Sequence, residues 1–125
     1  MIFDTDVLIW ANRGSTRAAT LIDKADCRYI SVQTYMELLQ GALNKDHIRL
    51  SKNFLRDLEF QTLPLTENIG HRASIYIETY AISHGMRVGD AIIAASACES
   101  GLPLATANAK HYRHVGDLDL VVLKI

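Results

Sequence analysis

An α/β fold with a mostly parallel sheet, covered by helices on both faces, is predicted by three features of the sequence. Short apolar runs alternate with longer segments of helical periodicity, the pattern of strands joined by crossover helices. The longer segments are bounded by capping residues and glycines, as helices are. The 125 residues contain no internal repeat, low-complexity tract or Pro/Gly/Ser linker, so one core and a single domain over residues 1–125 are expected.

The elements follow in order. Met1–Phe3 reads as a first strand and "VLIWAN" as the helix after it. Cys27–Ile30 is a second strand, followed by two amphipathic helices in "SVQTYMELLQGAL" and "KNFLRDLEF". Gln61–Leu65 forms a third strand. The long segment "TENIGHRASIYIETYAISHG" takes Thr66 as N-cap and Gly85 as its stop. "GDAIIAASACESG" ends at Gly101 and is so rich in alanine and isoleucine that protein must surround it. Leu104–Thr106 and Leu120–Leu123 complete the strands, while Ile48, Leu50 and Tyr76 are apolar residues available to an interface or to the core.

Composition narrows the function classes. Lys and Arg number 13 against 14 for Asp and Glu, a formal charge of −1, so a surface for a polyanion must be a local patch. Cys27 and Cys98 stand far apart without metal-binding spacing, which argues against a zinc site or a disulfide scaffold. No basic stretch precedes the first apolar residues and no apolar run is long enough to span a bilayer, so a soluble cytoplasmic protein is expected.

The opening "MIFDTDVLIW" sets two carboxylates in an apolar run. An ionised carboxylate among core residues needs a cation or a donor. Asp6 is expected to cap the helix starting near Val7. Asp4, just past a strand that should be central, is the candidate site carboxylate, because parallel sheets carry their functional residues beyond the carboxyl ends of strands. Glu37 lies on a helix among Met36, Leu38 and Leu39, and Asp90 opens the alanine-rich helix. Asn108 follows the strand "LPLAT", where its side-chain oxygen suits a turn or a hard cation. Asp117 and Asp119 read as turn residues outside the site. Together Asp4, Glu37, Asp90 and Asn108 form an oxygen-donor set of the kind that Mg²⁺ or Mn²⁺ requires.

Four segments, "FDTDVLIW", "ISVQTYMELLQG", "RVGDAIIAASA" and "GLPLATANAKHY", resemble in this order the PIN-domain ribonucleases, most closely the VapC toxins of toxin–antitoxin modules. The resemblance implies a PIN-like three-layer fold with a parallel five-stranded sheet of order 3-2-1-4-5. It also implies metal-dependent endoribonuclease activity, with Asp4, Glu37 and Asp90 holding Mg²⁺, Mn²⁺ substituting, and Asn108 completing the catalytic set. A VapB-like antitoxin and a homodimer are the implied protein partners, and RNA the substrate. Many relatives carry a further acidic residue near "TANAKHY", where this chain has Asn108 and His111, so a second ion should bind weakly. Arg13, Arg17, Arg87, Lys110 and Arg113 are candidate phosphate contacts and Tyr112 a candidate base stacker. Two other readings are open. "DTDVL" also matches the opening of haloacid dehalogenase-like phosphatases, although "TANAKHY" lacks the acidic pair that reading needs. A non-catalytic PIN-like interaction module is the other.

Overall fold

The computed structural model describes residues 1–125. Its strands are β1 (Ile2–Phe3), β2 (Tyr29–Ser31), β3 (Gln61–Leu63), β4 (Leu104–Thr106) and β5 (Leu120–Val122). Its helices are α1 (Thr5–Asn12), α2 (Thr16–Lys24), α3 (Val32–Gln40), α4 (Lys45–Asp57), α5 (Glu67–His84) and α6 (Val88–Ser100), with a 3₁₀ turn at Ala109–His111. The five strands form one sheet in the order β3-β2-β1-β4-β5, every pair parallel. This is the order that the resemblance implies.

Parallel strands need long crossovers, and the helices that supply them cover both faces. Alternation along the strands divides the core in two. Ile2 and Leu104 join Ile69, Ala73, Tyr76 and the buried alanines of α6 in one cluster. Phe3, Ile30 and Ala105 join Val7, Leu8, Ile22, Leu38 and Leu55 in the other. The central strands β1 and β4 are buried throughout, whereas the edge strands β3 and β5 have no fully buried residue. No helix is long and apolar enough to cross a membrane.

Sequence and structure differ at several elements. The sequence reading does not include α2, which buries Ala18 and Ile22 and is capped by Ser15 through a hydrogen bond from the Ala18 amide. Helix α4 starts at Lys45 rather than Lys52, since Asn44 accepts from the His47 amide and begins the helix earlier. Of the three apolar residues read as interface or core, Tyr76 is buried, Ile48 is partly buried and Leu50 is exposed. Thr66, Gly85 and Gly101 bound α5 and α6 as expected, both glycines having a φ of 64°.

The left-handed turn at Gly101 delivers the chain from α6 into β4. Gly101→Ala is expected to cost about 1 kcal/mol through that backbone conformation, read as a lower urea midpoint. Gly116→Ala, where φ is not positive and nothing lies within 4 Å of an added Cβ, leaves the midpoint unchanged.

Candidate active site

The order of the sheet makes β1 and β4 neighbours, and the chain leaves their carboxyl ends into α1 and into the segment before the 3₁₀ turn. Asp4 occupies that junction. Its amide donates to the Ala105 carbonyl at 2.8 Å, continuing the sheet by one residue. Its side chain then caps α1, with Oδ1 accepting from the Thr5 amide at 2.8 Å. Oδ2 accepts from the Thr106 hydroxyl at 2.8 Å, across the β1–β4 pair. The same Thr106 oxygen accepts from the Asn108 amide at 3.0 Å, so one hydroxyl ties the end of β4 to Asp4.

Asp4 therefore takes the capping position that the sequence reading gave to Asp6. Strand pairing extends through Phe3, so the helix starts at Thr5 and leaves Asp6 in its first turn. The carboxylate of Asp6 instead accepts from the Ala107 amide, at 3.2 Å to Oδ2. Two carboxylates two residues apart thus face the end of β4 together.

Helix α3 brings Glu37 to the same place. The Thr5 hydroxyl donates to Glu37 Oε1 at 2.6 Å and lies 3.0 Å from the Thr34 hydroxyl. Helix α6 approaches α3 closely at Gly89, where an added Cβ would meet Gln33 Nε2 at 3.0 Å and Glu37 Oε2 at 3.2 Å. One residue on, Asp90 accepts from the Tyr112 hydroxyl at 3.2 Å through Oδ1, and its Oδ2 lies 3.3 Å from His111 Nδ1. The other ring nitrogen of His111 lies 3.2 Å from the Asn108 side-chain amide.

The electrostatics are those of acids crowded at a buried strand end. Burial first, and the Asp6 charge second, push Asp4 up to about 7, against the hydrogen bonds from Thr106 and Thr5. Asp6 is also raised by burial, opposed by the Ala107 amide. Asp90 is raised by burial and lowered by His111 and the Tyr112 hydroxyl. Burial and the nearby carboxylates push the Tyr112 phenol far upward, so it stays protonated and donates.

The structure thus brings Asp4, Glu37 and Asp90 into one acidic region, but no three His, Cys, Asp or Glu side chains form a ready cage for an ion. Each carboxylate is held by its own donor: Asp4 by Thr106, Glu37 by Thr5, and Asp90 by Tyr112 with His111 beside it. Hard oxygen donors carrying unfavourable, desolvated charge are nevertheless the chemistry that a divalent cation relieves. Asn108 joins the region through His111, its side-chain amide turned to that ring. Tyr112 is fully buried and so unavailable for base stacking. Asp6, Thr5, Thr106 and Gly89 are site components that sequence reasoning missed; an acid in the first turn after a strand-end acid was the available signal.

The candidate phosphate contacts divide. Arg13 lines a cavity of about 270 Å³ with Glu37, Asn12, His47 and Ser51. Arg87 and Lys110 line another with Asp90. Arg17 donates to the Lys124 carbonyl near the C-terminus, and Arg113 is exposed.

A parallel α/β protein with clustered carboxylates where its central strands end is the class defined by this fold and site. The family model for the PIN domain matches residues 1–117, and the chain belongs to that family. No curated protein sequence matches it. Among solved structures it is similar to a chain in a toxin–antitoxin complex from Klebsiella pneumoniae, with 25% identity over 98% of this chain and 97% of that one and a TM-score of 0.83. FitAcB from Neisseria gonorrhoeae shares 25% identity over 95% and 94% of the two chains, with a TM-score of 0.73. VapBC2 from Rickettsia felis, bound to a DNA fragment from its promoter, shares the fold at 20% identity, 99% and 100% coverage and a TM-score of 0.81.

The raised Asp4 carboxyl sets a pH dependence. It keeps its proton to about 7 in the folded chain but loses it near 4 when unfolded, so the folded state binds the extra proton between those values. Stability in chelator therefore falls as pH rises from about 4 to about 7. Asp4→Asn keeps the cap and removes the buried charge, so the metal-free protein at about pH 7.5 should melt at a higher temperature than wild type, with the difference shrinking as pH falls toward 4. Thermal melts in chelator across that range check both outcomes.

Proposed function

We propose that this protein is a metal-dependent endoribonuclease, the toxin of a VapBC-type toxin–antitoxin pair, with residues 1–125 acting as one PIN-like domain. The observation that carries the reading is the buried Asp4 carboxylate, crowded by Asp6 and Asp90 at the end of the central strand pair in a PIN-family chain. Asp4, Glu37 and Asp90 would hold Mg²⁺ or Mn²⁺, with Asn108 at the edge of the set. When bound, the cation supplies Lewis acidity toward the phosphoryl oxygens and the attacking water. The chain's own groups do the positioning. Thr106 and Thr5 orient the carboxylates of Asp4 and Glu37, and the Tyr112 hydroxyl fixes that of Asp90.

The partner reading is a VapB-like antitoxin seated along the groove beside Glu37. The cavity there is bounded by α1, α3 and α4, and Ile9, Trp10, Met36, Leu43 and Leu50 are exposed on or beside these elements. The complexes of the similar chains support it. A homodimer belongs to the same reading; the apolar cleft between α5 and α6, about 410 Å³ and lined by Leu65, Ala73, Ile77, Val88 and Ile92, is a surface a second copy could cover.

Cleavage ends mapped on total cellular RNA decide the activity. With Mg²⁺ or Mn²⁺, wild type should produce discrete new ends, and Asp4→Asn, Glu37→Gln and Asp90→Asn should produce none while melting as folded proteins. Calorimetry should show one Mn²⁺ site per chain, lost in Asp4→Asn. Near-normal cleavage by any of the three removes that residue from the site, and turnover of a small phosphomonoester by wild type moves the assignment to a phosphatase.

Gly89→Ala tests the approach of α6 to Glu37. The added methyl must displace Gln33 and Glu37, so cleavage should fall roughly tenfold. Gly70→Ala, also in a helix but with nothing within 4 Å of the new Cβ, should cleave as wild type does.

A further inference from the structure

A cavity of about 250 Å³ opens beside the carboxylate cluster at the start of α6, lined by His84, Met86, Arg87, Asp90, Lys110 and His111. Arg87 and Lys110 are exposed, and neither forms a salt bridge. Arg87 stands at the N-cap position of α6 yet makes no capping hydrogen bond. Asp90, the one carboxylate of the lining, already has the Tyr112 hydroxyl and the His111 ring against it.

Aromatic stacking braces one wall. The ring of His84 stacks on His114 with centroids 4.4 Å apart and planes 21° apart. Tyr80 meets His114 edge-on at 4.5 Å, and Met86 Sδ lies 3.4 Å from His114 Nε2. His84 thus lines the cavity with its imidazole supported by a second ring.

Two exposed cations that make no salt bridge, although the Arg87 charge is felt by Asp90, border a concave space shared with the candidate active site and are complementary to a second phosphodiester of a strand whose scissile phosphate sits on the carboxylates. A supported ring beside them suits a nucleobase. An acidic peptide could meet the same cations but would leave that ring without a role. We infer that this cavity is a phosphate subsite for single-stranded RNA, in which Arg87 and Lys110 hold the phosphodiester next to the scissile one and His84 carries the neighbouring base. This rests on the nuclease reading above and adds to it the position where the strand is gripped.

The test reads binding without turnover. A short, fluorescently labelled, single-stranded RNA of mixed sequence is titrated in chelator and followed by anisotropy at several salt concentrations. Arg87→Gln with Lys110→Gln should weaken binding about tenfold and reduce the slope of log K against log salt by roughly 0.7 to 1.4, one or two phosphate contacts on a single strand. His84→Ala should weaken binding roughly fivefold with the salt slope unchanged. Lys24→Gln with Lys52→Gln, which removes two charges from α2 and α4, should stay within about twofold of wild type, and melts confirm that every variant is folded. Equal affinity and slope in wild type and the Arg87/Lys110 pair overturn the inference, as does an equal loss in the Lys24/Lys52 pair. Retained RNA affinity with lost binding of a polyglutamate peptide assigns the cavity to an acidic protein and overturns it too. Wild-type cleavage is measured separately: weakened binding in the Arg87/Lys110 pair without wild-type turnover keeps the subsite and removes the nuclease, and the converse pattern does the reverse.

Discussion

The hydrogen bond between the Thr106 hydroxyl and the Asp4 carboxylate organises the centre of this protein. It joins the last residue of β4 to the first residue beyond β1. Because the same carboxylate caps α1, the sheet, the first helix and the acidic region share one group. The sheet order makes this meeting possible. Crossovers run outward from β1 in both directions, so the two strands that flank the change of direction open a crevice between their loops. Asp4 could not reach Thr106 in an order that separated β1 from β4.

Around that bond each acid is held by a donor of its own. Asp4, Glu37 and Asp90 each lean on a different neighbour: a threonine of β4, a threonine of α1, and a tyrosine beyond the 3₁₀ turn. Hydroxyl donors satisfy carboxylates without cancelling their charge, so the region stays strongly acidic while its geometry is defined. Burial first, and the neighbouring Asp6 charge second, favour the protonated carboxyl, which is why Asp4 is displaced upward.

Much of the fold was legible in the sequence. Its strands and its capped helices announce themselves through apolar runs, Thr66, Gly85 and Gly101; the order of the strands came from the resemblance, since spacing alone does not give it. Helix α2 follows α1 after only three residues, and its separate start is set by the Ser15 cap rather than by a long break in the sequence. Asp4 and Asp6 are both competent caps, and the choice between them is made by strand register, Phe3 pairing with Ala105, which the local sequence does not encode. Tyr112 sits among basic residues and reads as a surface aromatic. The 3₁₀ turn before it rolls its ring into the core and its hydroxyl onto Asp90, a tertiary outcome with no sequence period behind it.

The central strand also precedes, along the chain, both strands that it pairs with. Ile2 pairs with Tyr29 on one side and with Leu104 on the other, so its second edge stays open until β4 has been synthesised. Contacts of such sequence separation form late and carry a large loop-closure cost. The acidic region inherits this delay: Asp4 meets Thr106, and Asp90 meets Tyr112, only after β4 has docked. Until then the residues of the acidic region are present in the chain but not yet brought together.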